Sequence, residues 1–290
     1  MSQFAGVSRK QKNLINTIVI YFFILLISFF AACPLLWMLS TAIKPRDQLF
    51  RIPPQWIPNH PTLEHFERVL FPTRPNGKLF FRYFLNSTIV SVVSTILSVA
   101  VSVPAAYAFS RFNFPGKDVA YFGVLARNMF PLIVFLIPLF ILMRILRLQD
   151  TYAGLIIAYL TFTLPLSIWL LKGFFDGIPK ELERAARIDG CTRFGAFVRI
   201  ILPLTAPGLA ATAIYSFILA WNEFAYALTL THSTSMRTLP VGLAYFFTEN
   251  TADWPGLMAT AFTISVPVVI MFLILQRYFV AALTQGAIKQ

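Results

Sequence analysis

Residues 14–39 read LINTIVIYFFILLISFFAACPLLWML, 26 positions without a charged side chain. A helix rises 1.5 Å per residue, so about 20 apolar residues cross the roughly 30 Å of a bilayer's hydrocarbon. This run is long enough to span, and it far exceeds the roughly 7–15-residue core of a secretory signal. A polar, basic start from Ser8 to Asn13 precedes it, and Cys33 and Pro34 interrupt it without an Ala-x-Ala cleavage pattern. It is expected to persist as a first membrane span.

Working outward, five further apolar stretches have spanning length, at about 84–109, 119–143, 152–171, 204–230 and 257–280. The expected fold is all-α: one polytopic membrane helix bundle over residues 1–290, with six transmembrane helices and a cytoplasmic helical segment at 178–203. Ser87, Ser91, Ser94, Ser98 and Ser102 line the second stretch. Small residues allow close helix approach in lipid, which places this helix inside the bundle. Prolines at 34, 104, 131, 138, 207 and 267 predict kinks or helix ends.

Composition agrees. Charged residues make up only 12% of the chain and hydrophobic ones 57%, with 30 Phe; a soluble domain carries roughly 25% charged residues. The formal net charge of +12 does not imply nucleic acid. The basic residues lie between apolar runs, where anionic headgroups and loop orientation account for them. With the N-terminus inside, the inner segments hold 13 Lys and Arg and the outer ones 10. The long outer segment 44–83 weighs less in that comparison, so the N- and C-termini are expected on the cytoplasmic side. Cys33 and Cys191 fall roughly a bilayer thickness apart, too far for a bridge. His60, His65 and His232 show no metal-ligand spacing, so no metal site is expected.

The segment that speaks most directly to function runs from Ile178 to Pro203. It reads as a short helix, a turn and a second helix. Pro179 suits a helix start, Glu181 and Glu183 favour the first-turn dipole, Gly190 suits a terminator and Thr192 a cap for the next helix. Leu182, Ala185, Ala186 and Asp189 fall on neighbouring faces. A small, short face of this kind fits a helix docking into a shallow cleft on a partner protein. It fits equally a helix lying in the headgroup layer with its arginines snorkelling.

The same stretch closely resembles the cytoplasmic signature of ABC-importer permeases, EAA-x3-G-x9-I-x-L-P. Ala185 and Ala186 match its alanines, Gly190 its glycine, and Ile200, Leu202 and Pro203 its end. Arg184 stands where that family's Glu is expected, and neighbouring Glu183 points about 100° away on a helix. Further likeness to carbohydrate permeases runs through Leu35-Leu36-Trp37, Lys44-Pro45, Asn86-Ser87, Arg111-Phe112, Phe114 to Lys117 and Trp221 to Phe224. The tail from Gln276 to Lys289 is similar to that of the maltose-type second permease. The resemblance implies a permease subunit of an ATP-driven, binding-protein-dependent sugar importer in the cell inner membrane. It implies coupling to the ATPase through Glu183, Arg184, Ala185, Ala186, Asp189, Gly190, Ile200, Leu202 and Pro203. The implied partners are a second homologous permease, an ATPase dimer that carries the ATP and magnesium, and an extracytoplasmic sugar-binding protein. This chain itself is expected to bind no cofactor.

Ionisable groups within spans are functional candidates by default. Glu223 with Asn222, and Arg127 with Asn128, are therefore candidates for the substrate pathway. Tyr159, Phe162 and Tyr226 suit stacking on a pyranose ring, with ordinary packing as the plainer role. A secondary transporter of a small polar solute is the alternative, but it predicts internal repeats, of which the sequence shows none, and proton-relay carboxylates, which are nearly absent. No span carries a catalytic constellation. Gly77-Lys78 and Gly116-Lys117 continue into Leu79 and Asp118, so neither forms a phosphate-binding loop and no enzymatic role is expected.

Overall fold

The computed structural model describes residues 9–71, 75–249 and 253–287, so Ser8 and the tail end at Lys289 lie outside the described residues. Every regular element among them is helical. Four helices are long and apolar enough to cross a membrane, at Leu14–Ala42, Gly77–Arg111, Tyr152–Gly177 and Trp254–Ile274. Two bent pairs bring the number to six if each is one span. The chain is thus an all-α, multi-pass membrane protein, and it divides into two compact units.

The first unit holds α1 (Arg9–Ala42), the loop after it, most of α2 (Glu64–Leu70) and the chain at 253–262. From Leu14 to Phe30 the large apolar side chains of α1 are 45–81% exposed. A helix that is apolar on every side and has no protein around it is suited to lipid or to another subunit. The loop beyond it is tied down by polar contacts. His65 Nε2 lies 3.1 Å from the Lys44 carbonyl, the Thr62 N–H donates to Ile43 O at 2.9 Å, and Asp253 pairs with Arg46 at 3.2 Å and Arg68 at 3.0 Å.

The second unit is built on α3 (Pro75–Arg111) and α6 (Tyr152–Gly177), which pack along their length, with α10 (Ala206–Trp221) against both. The serines of α3 sit at these contacts. Ser98 Oγ lies 3.0 Å from Ser167 Oγ, which lies 2.9 Å from Ser216 Oγ, so three helices meet at a buried chain of hydroxyls. Such bonds average about 0.6 kcal/mol each in a membrane and reach about 1.7. Their larger effect is to let the backbones approach.

The stretches expected at 119–143 and 204–230 are interrupted. In the first, α4 (Lys117–Ala126) leads through the turn Arg127–Met129 to α5 (Leu132–Ile145) at 102°. Pro131 has no N–H to continue a helix and biases the residue before it away from α, and Phe130 is extended at φ −95°, ψ 138°. After α6, the 178–203 segment folds as α7 (Lys180–Ile188), α8 (Arg193–Ala196) and a π-turn at Phe197–Ile201 that runs into α9 (Leu202–Leu204), and a 70° bend separates this stretch from α10. After Trp221 the helix stops and restarts as α11 (Ala225–Leu230); α12 (Leu239–Glu249) and α13 (Trp254–Ala287) complete the order. Among the described residues there is no cluster that would hold a metal ion, and Cys33 and Cys191 are free.

The turn into α6 is tight: Arg147 and Asp150 have φ of 57° and 58°, and the Gly154 N–H donates to Thr151 Oγ1 at 3.1 Å. A Cβ on Gly154 would overlap the Leu148 carbonyl oxygen. Gly154→Ala is therefore expected to destabilise the protein by about 1–3 kcal/mol, read as a lower melting temperature in detergent. Gly173→Ala, whose Cβ would meet nothing within 4 Å, serves as the control. A Gly154→Ala protein as stable as its parent would contradict the overlap.

Candidate functional site

The segment 178–203 folds as two short helices around a capped turn. Helix α7 starts after Pro179 and ends in a Schellman motif: the Gly190 N–H donates to Arg187 O at 3.2 Å and the Cys191 N–H to Ala186 O at 2.9 Å. Gly190 takes φ +91°, the left-handed conformation this motif needs, and none of the described residues comes within 4 Å of a Cβ there. Its glycine thus answers a backbone demand, with open space beside it. Thr192 Oγ1 accepts from the Gly195 N–H at 3.0 Å and caps α8.

One face of this helix pair is anchored to the C-terminal end of α3. Tyr107 donates its hydroxyl to Glu183 Oε1 at 2.7 Å, and Arg111 Nε lies 3.6 Å from Glu183 Oε2. Arg111 Nη2 also donates to the Ile178 carbonyl at 2.8 Å, and Ser110 to Asp176 at 2.6 Å. The Tyr107 ring lies 4.4 Å from that of Phe197. Ala186 is buried in this contact, whereas Arg184, Ala185, Asp189 and Gly190 are exposed. Ile200 and Leu202 are half-buried and Pro203 is exposed. The most exposed large apolar groups of the pair are Ile188 at 86% and Phe194 at 74%. Neither was singled out from the sequence. The signal that marks them is a bulky apolar residue on an otherwise strongly polar helix turn.

The residues proposed for the pathway separate into two groups. Arg127 and Tyr226 come together: Arg127 Nη2 lies 3.4 Å from the Tyr226 hydroxyl, and the guanidinium sits 5.0 Å above the Phe135 ring. With Pro138, Leu139, Leu142 and Thr161 they line a cavity of about 280 Å³. Glu223 does not line it. Its carboxylate accepts the Tyr226 N–H at 2.7 Å and the Ala227 N–H at 3.0 Å, so it caps α11 where the helix restarts. Tyr159 is buried beside Glu223 and Thr238 and touches Phe162, which in turn touches Tyr226. Asn222 returns to its own helix, donating to Ile218 O at 2.8 Å, and Asn128 is exposed in the turn.

At the N-terminal end of α3 a second set of bonds holds the turn at 230–239. Asn86 Nδ2 donates to the carbonyls of Ser235 and Arg237, both at 2.8 Å, while Tyr152 donates to Asn86 Oδ1 at 2.6 Å. Ser87 Oγ accepts the Leu239 N–H at 2.8 Å. Asp150 accepts the N–H groups of His232 and Ser233 at 2.9 and 3.1 Å. Burial alone would raise the Asp150 carboxyl, but bonds from the Ser233 hydroxyl and the two N–H groups outweigh it and hold it below its ordinary value.

Comparison with known proteins agrees with this geometry. Residues 98–285 match the family described as "Binding-protein-dependent transport system inner membrane component". The chain is 38% identical to the sulfoquinovosyl glycerol transport system permease protein of Agrobacterium fabrum, over 88% of each chain. It is also 38% identical to the trehalose transport system permease protein of Mycobacterium tuberculosis, over 90% of this chain and 93% of that protein. A chain from a crystal structure of a bacterial ABC transporter that imports the acidic polysaccharide alginate shares the fold. It superposes with a TM-score of 0.74 over 96% of this chain and 100% of that one, at 24% identity.

Proposed function

The chain belongs to the family of binding-protein-dependent transport system inner membrane components, the permeases of ABC-type sugar importers, and from that premise we propose that it forms one half of a sugar pore driven through residues 178–203. Permeases of this family are pore subunits of multi-subunit systems and carry no catalytic site of their own. In our reading the partners are a second, homologous permease that makes the other half, an ATPase dimer that holds ATP and magnesium, and an extracytoplasmic sugar-binding protein. This chain takes the place of the maltose-type second permease. The cargo is a glycoside or small oligosaccharide, in line with the sulfoquinovosyl glycerol and trehalose systems of its relatives.

The observation that carries the reading is the exposure of Ile188 and Phe194 on a polar helix pair that is itself anchored to α3. Burying each of these side chains against a partner contributes about 1.5–3 kcal/mol. A lipid headgroup layer accounts less well for the pair, because α7 also exposes Glu181, Arg184, Arg187 and Asp189 around Ile188. In this proposal the exposed face docks on the ATPase, and the anchored face passes its displacement to α3. The Arg at position 184 leaves the ATPase contact to these apolar groups and to the arginines, with Glu183 turned toward Tyr107 and Arg111.

The same proposal places the 178–203 segment and both termini in the cytoplasm and the loop after α1 outside. A cysteine replacing Lys180 should react with impermeant reagents only from the cytoplasmic side, and one replacing Asn59 only from outside. Reaction of both from one side would overturn the topology. The docking face has its own test. Ile188→Asp removes the apolar contact and would place a charge against the partner, so sugar uptake should fall by more than about tenfold, the equivalent of 1.4 kcal/mol, at normal membrane insertion. Normal uptake together with normal ATPase co-purification would contradict it.

A further inference from the structure

Among the described residues Arg127 has no acidic partner. It sits in the turn at the 102° bend between α4 and α5 and forms none of the ion pairs found among the described residues. Its neighbours are the Tyr226 hydroxyl at 3.4 Å and the face of Phe135, and its Nε is buried without a hydrogen-bond partner. A guanidinium has five donors in a planar fork, so most of its hydrogen-bonding capacity is unused. Glu223 is the one carboxylate within the six apolar stretches, and both its oxygens are engaged by the N–H groups of α11.

The site lies along a candidate membrane span, away from its end. Thr161, which lines the same cavity, is nine residues into α6, or about 14 Å along the helix from its start. A cation there is costly unless it meets an anion or a wet pathway. The cavity, about 280 Å³, is close to the lower bound of small-ligand pockets and suits about one sugar ring. Its polar groups are rich in donors. Arg127 and Tyr226 are among its lining residues and lie 3.4 Å apart, while the Thr161 hydroxyl already donates to the Ala158 carbonyl at 2.6 Å. No carboxylate or side-chain amide lines it to accept from sugar hydroxyls, as neutral-sugar recognition would call for.

We propose that the cargo passing this cavity is an anionic sugar, and that Arg127 recognises its carboxylate, sulfonate or phosphate oxygens while Tyr226 and Phe135 face the ring. This rests on the reading of the chain as a sugar permease. The acid supplies the charge that the protein lacks, and the fork of Arg127 binds two of its oxygens at once. The distance of Thr161 from the start of the α6 span separates this site from the phosphate of a lipid headgroup.

The test uses the whole transporter, this chain with its own partner permease, ATPase and binding protein, in proteoliposomes. The probes are one disaccharide in three forms: neutral, with a 6-carboxylate and with a 6-sulfonate. The wild type should import an acidic form in preference to the neutral one. Arg127→Gln should lower the ratio of acidic to neutral uptake by about 10- to 100-fold, as loss of a charge-assisted hydrogen bond implies. Arg127→Lys, which keeps the charge without the fork, should fall between. Import of the neutral form alone by the wild type, or an unchanged ratio in Arg127→Gln, would overturn the proposal. Failure of Arg127→Gln to assemble with the second permease would also overturn it, assigning the counter-ion to that subunit. ATP-dependent import of no sugar at all by the wild type would instead count against the permease reading beneath it.

Discussion

Glu183 stands 72 residues along the chain from Arg111, yet their side chains close the contact on which the rest of the arrangement depends. The guanidinium side chain is 4% exposed and the carboxylate 12%, with the Tyr107 hydroxyl completing the group. A pair this sheltered gives up much of its hydration, so its net contribution to stability is small. Removing one partner is different, because the other is left charged and unmatched, at about 3–5 kcal/mol. The contact therefore works as a positional constraint. It decides where α7 lies and hence where Ile188 and Phe194 are presented.

Helix α3 makes this constraint useful. Its 37 residues span about 55 Å, and it carries polar clamps at both ends. Tyr107, Ser110 and Arg111 hold the α7 region at one end, while Arg82, Asn86 and Ser87 hold the turn at 235–239 at the other. Between them the Ser98, Ser167 and Ser216 hydroxyls keep α3, α6 and α10 close. In the proposed coupling, a displacement of α7 would be passed along these packed helices. The irregular backbone is concentrated elsewhere, at Arg127–Met129 and at Asn222–Phe224, beside the cavity and its neighbours. In a bilayer such breaks are tolerated where protein or a cavity lies around them.

Much of the fold was legible in the sequence because the bilayer imposes a length, and hydropathy reports length directly. The local chemistry of the 178–203 turn was legible for a similar reason. A Schellman glycine at 190 and a cap at Thr192 are written in neighbouring residues. The breaks were not legible, since hydropathy carries no angle: Pro131 signals an interruption but not a 102° one. Tertiary pairings were hidden as well. Glu223 reads as a lone intramembrane carboxylate, and only the restart of the helix at Ala225 gives its oxygens two N–H partners. Glu183 reads as a first-turn acid beside the signature's Glu position, and only the packing of α7 turns it toward Tyr107. Arg127 and Tyr226, 99 residues apart, share a cavity that no local pattern announces.

The central claim is that the Glu183 contact transmits work from the docked face of α7 to α3, and the number of sugars moved per ATP hydrolysed tests it most directly. In the reconstituted full transporter, Glu183→Ala leaves Arg111 without its carboxylate and α7 loosely held. The account predicts that ATP hydrolysis continues while sugar moved per ATP falls several-fold. An unchanged ratio in Glu183→Ala, at normal assembly, would contradict it.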